Sequence, residues 1–264
     1  MEDINVSGLA EEMGIEDQKL VVYTCLTGDY EKPVRSHVME DGVKYVCFSD
    51  NKVSVADGWE FRKIEGLDHL DNKDKNRYIK MNPHKFLKDF DISIYIDSNI
   101  RIINELASIF SRVKKNSDSI FMYEHPFRTC TYKELQIAVS EGLTAFSKAK
   151  KQYKRYKGLN FPENFGLFEA NIIIRKHDRT SQKLMDFWWN EYKNSTKRDQ
   201  TSLMFASHQT GININSLGQC NLRDGGDYFY LDLSGRIRNL KSKVKNVIVR
   251  TLNFFITTFG GSLK

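Results

Sequence analysis

Three short runs of β-branched and aromatic residues in the first hundred positions limit the folds open to this chain. They are KLVVYTCL at 19–26, KYVCF at 44–48 and DISIYI at 91–96, each bounded by turn-forming residues. Apolar runs of this length indicate strands buried on both faces of a sheet. Residues 32–37 and 76–88, between the runs, have the pattern of short helices. Because strands and helices alternate, we predict an α/β fold, a three-layer sandwich with helices around a central sheet.

The second half of the chain continues this alternation. Its pattern predicts strands at 119–123 and 170–175, and helices at 102–114, 131–156, 181–192 and 198–207. No internal repeat and no linker rich in Pro, Gly or Ser marks a boundary. We therefore predict a single domain over 1–235, followed by a basic tail over 236–264.

Composition narrows the class of protein but does not select a partner. With 264 residues, 40% of them hydrophobic, the chain can bury one good-sized core. Residues 1–18 are acidic and lack the features of a secretory signal, and no apolar run is long enough to span a bilayer, so we expect a cytoplasmic protein. The four cysteines are far apart, without a C-x-x-C pair, which predicts reduced thiols. The net charge of +6 suits a nucleotide diphosphate, an acidic membrane or a nucleic acid.

The C-terminal tail combines basic residues with apolar residues that recur every three or four positions. This pattern is typical of a basic amphipathic helix on an anionic membrane surface, here the inner face of the cell membrane. A helix packed on the domain with a solvated basic face fits the same spacing equally well. The basic residues are Arg236, Arg238, Lys241, Lys243, Lys245 and Arg250.

Polar residues follow the first two predicted strands, where open α/β sheets bind ligands. Thr24, Gly28 and Tyr30 lie at the end of the first strand. Gly28 would let a ligand approach the backbone, and Tyr30 offers an aromatic face. Ser49 and Asp50 end the second strand and suit hydrogen bonds to a base or ribose. We predict a nucleotide site from these residues, with ordinary turn chemistry as the alternative.

The third strand ends in Asp97-Ser98-Asn99, a variant of the D-x-D pattern. Two oxygen-bearing side chains at this spacing can hold a divalent cation, Mn²⁺ or Mg²⁺, that also binds a diphosphate. Capping of a following helix by Ser98 or Asn99 is the alternative. Upstream, Arg77 and Lys80 are spaced to share one helix face and would neutralise the diphosphate, unless they are ordinary surface charges.

The chain from about 21 to 205 resembles a known family on a series of motifs in a fixed order. These are VVYTCLTGDYE, NRYIKMNPHKFL before DISIYIDSNIRI, EHPFRTCTYKE, KRYKGLNFPENFGLFEANIIIRKHD and FWWNEY. They are similar to the glycosyltransferase-like domain of plant wall and mucilage proteins and of bacterial polysaccharide-locus enzymes. The resemblance implies a GT-A, Rossmann-like fold, a nucleotide-sugar donor and a glycan acceptor.

The resemblance also implies roles for individual residues. Asp97 and Asn99 match the D-x-D-like position, and Arg77 and Lys80 match the basic pair before it. Asp199 falls where GT-A enzymes carry an acidic residue near the acceptor, so it is a candidate general base. Capping of the next helix is the alternative for Asp199.

Two further candidates lie within these motifs. Glu169 precedes a predicted strand and would line the sugar pocket, to orient donor hydroxyls or to act as nucleophile or stabiliser in a retaining reaction. His125 belongs to an H-P-x-R-x-C-x-Y-x-E run that we place at the donor or acceptor sugar, with a structural histidine as the alternative. Trp188 and Trp189 would stack on a sugar or lie in the core.

We therefore predict a glycosyltransferase that moves a hexosyl unit from a nucleotide-diphosphate sugar, most simply a UDP-sugar. Its acceptor would be a bacterial surface polysaccharide or a lipid-linked glycan. Asn99 is neutral and no histidine follows His208, so a catalytically inactive nucleotide-sugar or glycan-binding protein is the alternative. The basic stretch 148–157 carries no nucleic-acid-binding motif, so we predict no nucleic-acid partner.

Overall fold

The computed structural model describes residues 18–28, 37–232, 240–258 and 262–263. The chain divides into two compact units. The first consists of Met1–Phe121, Asn171–Gln182 and Leu222–Leu231, and the second of Met122–Ala170, Lys183–Asn221 and Asp232–Lys264.

Strands and helices alternate along the chain, as the sequence predicted. The strands are β1 (Leu20–Leu26), β2 (Val43–Ser49), β3 (Trp59–Lys63), β4 (Ile92–Ile96), β5 (Ile100–Ile102), β6 (Ile120–Glu124), β7 (Ile172–Lys176), β8 (Asn215–Gln219) and β9 (Phe229–Leu231). The helices are α1 (Asn72–Met81), α2 (Pro83–Phe86), α3 (Ala107–Lys115), α4 (Thr131–Ser140), α5 (Phe146–Gly158), α6 (Arg179–Lys193), α7 (Gln200–Thr210) and α8 (Leu240–Thr258).

The main sheet has seven strands in the order β3-β2-β1-β4-β7-β6-β8. Strands β3, β2, β1 and β4 run parallel, with Tyr23 beside Val46 on one side and Tyr95 on the other. β7 runs antiparallel to both β4 and β6. A separate pair joins β5 to β9. The predicted α/β, Rossmann-like fold class is confirmed.

Nearly every side chain of β1, β2 and β4 is buried. The apolar residues of these segments therefore form strands inside the sheet, where both of their faces are covered. In the first unit, Tyr23 and Tyr95 pack edge to face with ring centroids 5.2 Å apart. In the second unit, Tyr156 and Phe205 stack with centroids 3.9 Å apart. Trp188 and Trp189 are both buried, so the core alternative for these two residues is the correct one.

Three predicted helices differ from the structure, and the first of them, predicted over 76–88, is divided at Asn82 into α1 and α2, because Pro83 follows. The helix predicted over 102–114 begins only at Ala107, as α3, because Ile102 belongs to β5, which pairs with β9 more than a hundred residues away. The helix predicted over 131–156 is divided into α4 and α5, because Gly142 adopts a left-handed backbone conformation with φ +70°. The helix predicted over 32–37 lies almost wholly outside the described residues.

The described helices include none that is both long and apolar enough to cross a membrane. Cys25, Cys47, Cys130 and Cys220 are free thiols, and the first three are buried.

Candidate functional site

Polar groups gather where β1 and β2 end, at one edge of the sheet. Parallel strands that are neighbours end at the same edge, and β1 lies between β2 and β4. The backbone N–H of Gly28 donates to Oδ1 of Asp50 at 2.9 Å, and Lys75 Nζ lies 3.3 Å from Oδ2 of Asp50. Gly28 has φ +70°, and a Cβ there would overlap the side chain of Asn72. These contacts join the loops after β1 and β2.

The other predicted nucleotide-site residues at this edge are buried or lie outside the described residues. Ser49 is 1% exposed, and its Oγ accepts from the backbone N–H of Asn51 at 3.3 Å, which is turn chemistry. Thr24 is also 1% exposed, and its Oγ1 has no hydrogen-bond partner within the described part of the chain. Tyr30 lies outside the described residues.

Asp97 follows β4 and is held by both its backbone and its side chain. Its carbonyl accepts from the N–H of Ile100 at 2.8 Å, so residues 97–100 form a tight turn that leads into β5. Capping of a following helix by Ser98 or Asn99 is therefore wrong, because a strand follows. Tyr95 Oη donates to Oδ1 of Asp97 at 2.8 Å, and Lys80 Nζ lies 3.7 Å from the same oxygen.

The two cations of the predicted basic pair have different environments. Lys80 is 1% exposed, and its ammonium lies over the ring of Tyr95, 5.1 Å from the centroid. The Lys80 side chain therefore supports Asp97 and does not face the solvent, where a diphosphate would bind. Arg77 is partly exposed and donates to Oδ1 of Asn76.

The carboxylate of Asp97 remains one-third exposed although Oδ1 is engaged. A divalent cation needs several oxygen ligands. The described residues contain no group of three or more His, Cys, Asp and Glu side chains that could hold a metal ion. Asp97 and Asn99, with an ammonium 3.7 Å from Oδ1 of Asp97, do not fit a cation held by the protein alone. The predicted cation stays a prediction.

A second polar cluster lies in the second unit, around Glu169. Gln200 Nε2 donates to Oε2 of Glu169 at 3.1 Å, and Nε2 of His125 lies 3.5 Å from Oε1. Glu169 is held by its backbone as well, because its N–H donates to the carbonyl of Tyr123 at 2.9 Å. The Glu169 side chain is about one-quarter exposed, at 24%. A partly exposed carboxylate fixed by two neighbours is a suitable hydrogen-bond or proton acceptor.

His125 is neutral in this cluster. Burial, and then the charge of Arg128, lower the pKa of His125 to about 4. Both ring nitrogens face N–H donors, since Phe127 N lies 3.1 Å from Nδ1 and Arg128 Nη2 lies 2.7 Å from Nε2. An imidazolium has no acceptor nitrogen, so this environment disfavours it. The 3.5 Å approach to Glu169 is therefore not an ion pair at neutral pH.

Arg128 connects His125 to a buried carboxylate. Its Nε donates to Oε2 of Glu134 at 2.7 Å, and Glu134 is 2% exposed. Burial raises the pKa of Glu134, and the charge of Arg128 opposes that rise. Glu134 therefore fixes the guanidinium that contacts His125.

Asp199 begins α7 and is 7% exposed. Its Oδ1 accepts from the backbone N–H of Gln200 at 3.3 Å, and its carbonyl accepts from Trp188 Nε1 at 3.2 Å. The side chain thus makes the capping contact that was the alternative, and the general-base role stays a prediction.

Sequence reasoning missed two residues that support Asp97. Tyr95 lies two positions before Asp97 in an extended segment, so their side chains point to the same face, and this spacing was a usable signal. Arg175 is completely buried in β7 and donates to the carbonyl of Lys80 at 2.8 Å and to Tyr23 Oη. No local pattern in ANIIIR predicts this contact, because its partners lie in distant parts of the sequence.

A comparison with protein-family models agrees with the motifs. A search of curated proteins found no match. The family model described as "TOD1/MUCI70, glycosyltransferase-like domain" matches residues 49–224, most of the chain. That range contains Asp97, Glu169 and Asp199. A domain of this kind implies a nucleotide-sugar donor and a glycan acceptor, and thus a glycosyltransferase in general terms. The chain belongs to the TOD1/MUCI70 glycosyltransferase-like domain family.

Proposed function

We propose that this protein transfers a hexosyl unit from a nucleotide-diphosphate sugar, with UDP as the nucleotide, to a hydroxyl of a bacterial surface polysaccharide or lipid-linked glycan. The observation that carries the proposal is the carboxylate of Asp97, partly exposed at the end of β4 and fixed through Oδ1 by Tyr95 and Lys80. Ligands of open α/β sheets bind beyond such strand ends. A partly exposed carboxylate with one oxygen fixed can orient donor hydroxyls.

In the donor half of the reaction, the bond between the anomeric carbon and the diphosphate oxygen breaks. Negative charge then develops on the departing nucleotide diphosphate. Arg77, the partly exposed cation of α1, is our candidate to stabilise that charge. The nucleoside would lie against the loops after β1 and β2, which the contact between Gly28 and Asp50 holds together.

In the acceptor half, a hydroxyl oxygen forms a bond to the anomeric carbon and gives up its proton. We assign proton acceptance to Glu169, because Gln200 holds Oε2 by a hydrogen bond while the side chain stays partly exposed. Asp199 is the second candidate, and its contact with the N–H of Gln200 supports a role in positioning Gln200.

We also propose that the protein works in the cytoplasm at the inner face of the cell membrane, where lipid-linked acceptors reside. The basic residues between 236 and 250 support this location, since anionic lipids attract such segments.

Hydrolysis of UDP-hexoses and transfer to a short glycan acceptor test the proposal. We expect Asp97→Asn and Glu169→Gln each to lower kcat about 100-fold or more, as expected when a positioned catalytic group is lost. Glu163→Gln is the matched control, because Glu163 is an exposed carboxylate paired with Lys157. Saturable UDP-sugar binding without turnover by the native chain would instead identify a binding protein.

A further inference from the structure

Helix α8 packs on the rest of the second unit through its polar side. Asn253 is 4% exposed, and its amide makes three hydrogen bonds to the α4–α5 connection. Oδ1 accepts from the N–H of Phe146 at 2.9 Å, and Nδ2 donates to the carbonyls of Val139 at 2.8 Å and Thr144 at 2.9 Å. These bonds fix the rotation of α8 about its own axis.

Gly142 allows the backbone of α8 to come close. A Cβ at Gly142 would overlap the carbonyl oxygen of Asn246 and contact the backbone of Arg250. Asn246 lies seven positions before Asn253, two helical turns away on the same side of the helix. The polar face is therefore in contact with the protein along two turns.

The opposite face of α8 is apolar and is turned away from the rest of the second unit. Val244, Ile248, Leu252 and Phe255 follow one another at helical spacing on this face, and each is more than half exposed. Val247 and Phe254 flank them and are also more than half exposed. A helix on the surface of a soluble domain has the reverse arrangement, with its apolar stripe on the core. Exposed apolar areas of this kind mark an interaction surface.

The charge of the segment indicates which surface it meets. Residues 233–264 contain no Asp or Glu, whereas the basic residues recur from Arg236 to Arg250. Two copies placed with these helices together would bring like charges into proximity, which is unfavourable. An anionic lipid surface offers the opposite charge and an apolar interior at the same time.

We infer that the outward face of α8, made by Val244, Ile248, Leu252 and Phe255, inserts into the surface of an anionic membrane. The Asn253 contacts hold the helix so that this face points away from the rest of the second unit. The inference deepens the proposed membrane location and rests on it, but it does not depend on the transfer reaction.

Vesicle co-sedimentation of the full chain tests the inference. We expect binding to vesicles of equal parts phosphatidylcholine and phosphatidylglycerol, and about tenfold weaker binding to phosphatidylcholine alone. The neutral double variant Ile248→Ser/Leu252→Ser should weaken binding to the mixed vesicles by at least about tenfold, because two apolar side chains no longer insert. Both side chains are more than half exposed, so the fold should be kept.

The matched control is Ile103→Ser/Leu159→Ser, which removes two partly exposed apolar side chains elsewhere and should bind like the native chain. Native-like vesicle binding by the α8 variant would overturn the inference. The inference would also be wrong if the native chain bound neither kind of vesicle but formed a dimer, and the α8 variant did not. A second copy of the chain would then cover the face.

UDP-hexose hydrolysis in vesicle-free buffer separates the two proposals. Vesicle binding without hydrolysis would remove the proposed reaction and leave the membrane face in place. Hydrolysis without vesicle binding would do the reverse.

Discussion

The ammonium of Lys80 lies 3.7 Å from Oδ1 of Asp97, and of the two side chains only that of Lys80 is fully buried. The pair therefore joins an internal charge to a carboxylate that reaches the surface. A buried ion pair contributes little net stability, but removal of one partner leaves the other charge without compensation. Substitution of Asp97 alone should therefore lower the free energy of unfolding more than substitution of Lys80 and Asp97 together.

We expect Asp97→Asn to lower the free energy of unfolding by about 1–3 kcal/mol, because the buried Lys80 ammonium loses its anionic neighbour. Lys80→Met combined with Asp97→Asn should recover most of that loss in urea unfolding, since neither charge remains. UDP-sugar hydrolysis should stay low in the double variant. Recovery of hydrolysis along with stability would show that Asp97 has only a structural role.

Tyr23 Oη donates to the carbonyl of Lys80 at 3.0 Å and also contacts the buried guanidinium of Arg175. Tyr23→Phe removes both contacts without a large change in volume, so we expect a loss of about 1–3 kcal/mol in urea unfolding. Tyr230→Phe is the matched control, because Tyr230 is exposed. Equal stability of the two variants would contradict the supporting role of Tyr23.

Three histidines should make stability fall in mild acid. The pKa values of His37, His125 and His177 are each lowered to about 4, first by burial and then by the charge of a nearby arginine. An unfolded imidazole has a pKa of about 6.5, so below that pH the unfolded chain binds protons that the folded chain excludes. The free energy of unfolding therefore has its full value above about pH 6.5. It falls towards pH 4 by up to about 1.4 kcal/mol per pH unit for each histidine.

Urea unfolding at a series of pH values between about 7.5 and 5 measures this dependence. His177→Gln should reduce the slope, because one of the three groups is removed. His69→Gln should leave it unchanged, since His69 is exposed. A slope that is the same in all three proteins would refute the assignment.

Two glycines near α5 should respond to alanine in opposite directions. At Gly142 a Cβ would overlap the Asn246 carbonyl, and φ is +70°, so we expect Gly142→Ala to destabilise α8 and raise its hydrogen exchange. At Gly158, the last residue of α5, a Cβ meets nothing within 4 Å. Gly158→Ala should raise stability by about 0.5–1 kcal/mol. The two differences together separate the α8 contact from general glycine effects.

The sequence predicted the buried elements well and the marginal ones poorly. β1, β2 and β4 were located to within one or two residues because their apolar runs are almost continuous. β3 was missed because only Trp59 of its five residues is buried, as an edge strand of the sheet allows. β5 and β9 are three residues each and exist only through their mutual pairing, which no local pattern records.

The candidate site divides in the same way. Asp97 and Glu169 could be identified because each adjoins a buried strand. The burial of Lys80 could not, because it depends on the ring of Tyr95, fifteen positions away, and on its pairing with Asp97. Similarly, the neutral state of His125 results first from its burial, which only the fold produces, and then from the charge of Arg128.

The break between α4 and α5 has a consequence for how the tail is retained. An uninterrupted helix would use its internal carbonyls and N–H groups within itself, whereas at this break Asn253 bonds to the N–H of Phe146 and to the carbonyls of Val139 and Thr144. All four residues are buried, so departure of α8 would expose these polar groups and break the three bonds together. A single side chain of the tail thus bonds to α4, to α5 and to the segment between them, and so ties three parts of the second unit together at one point.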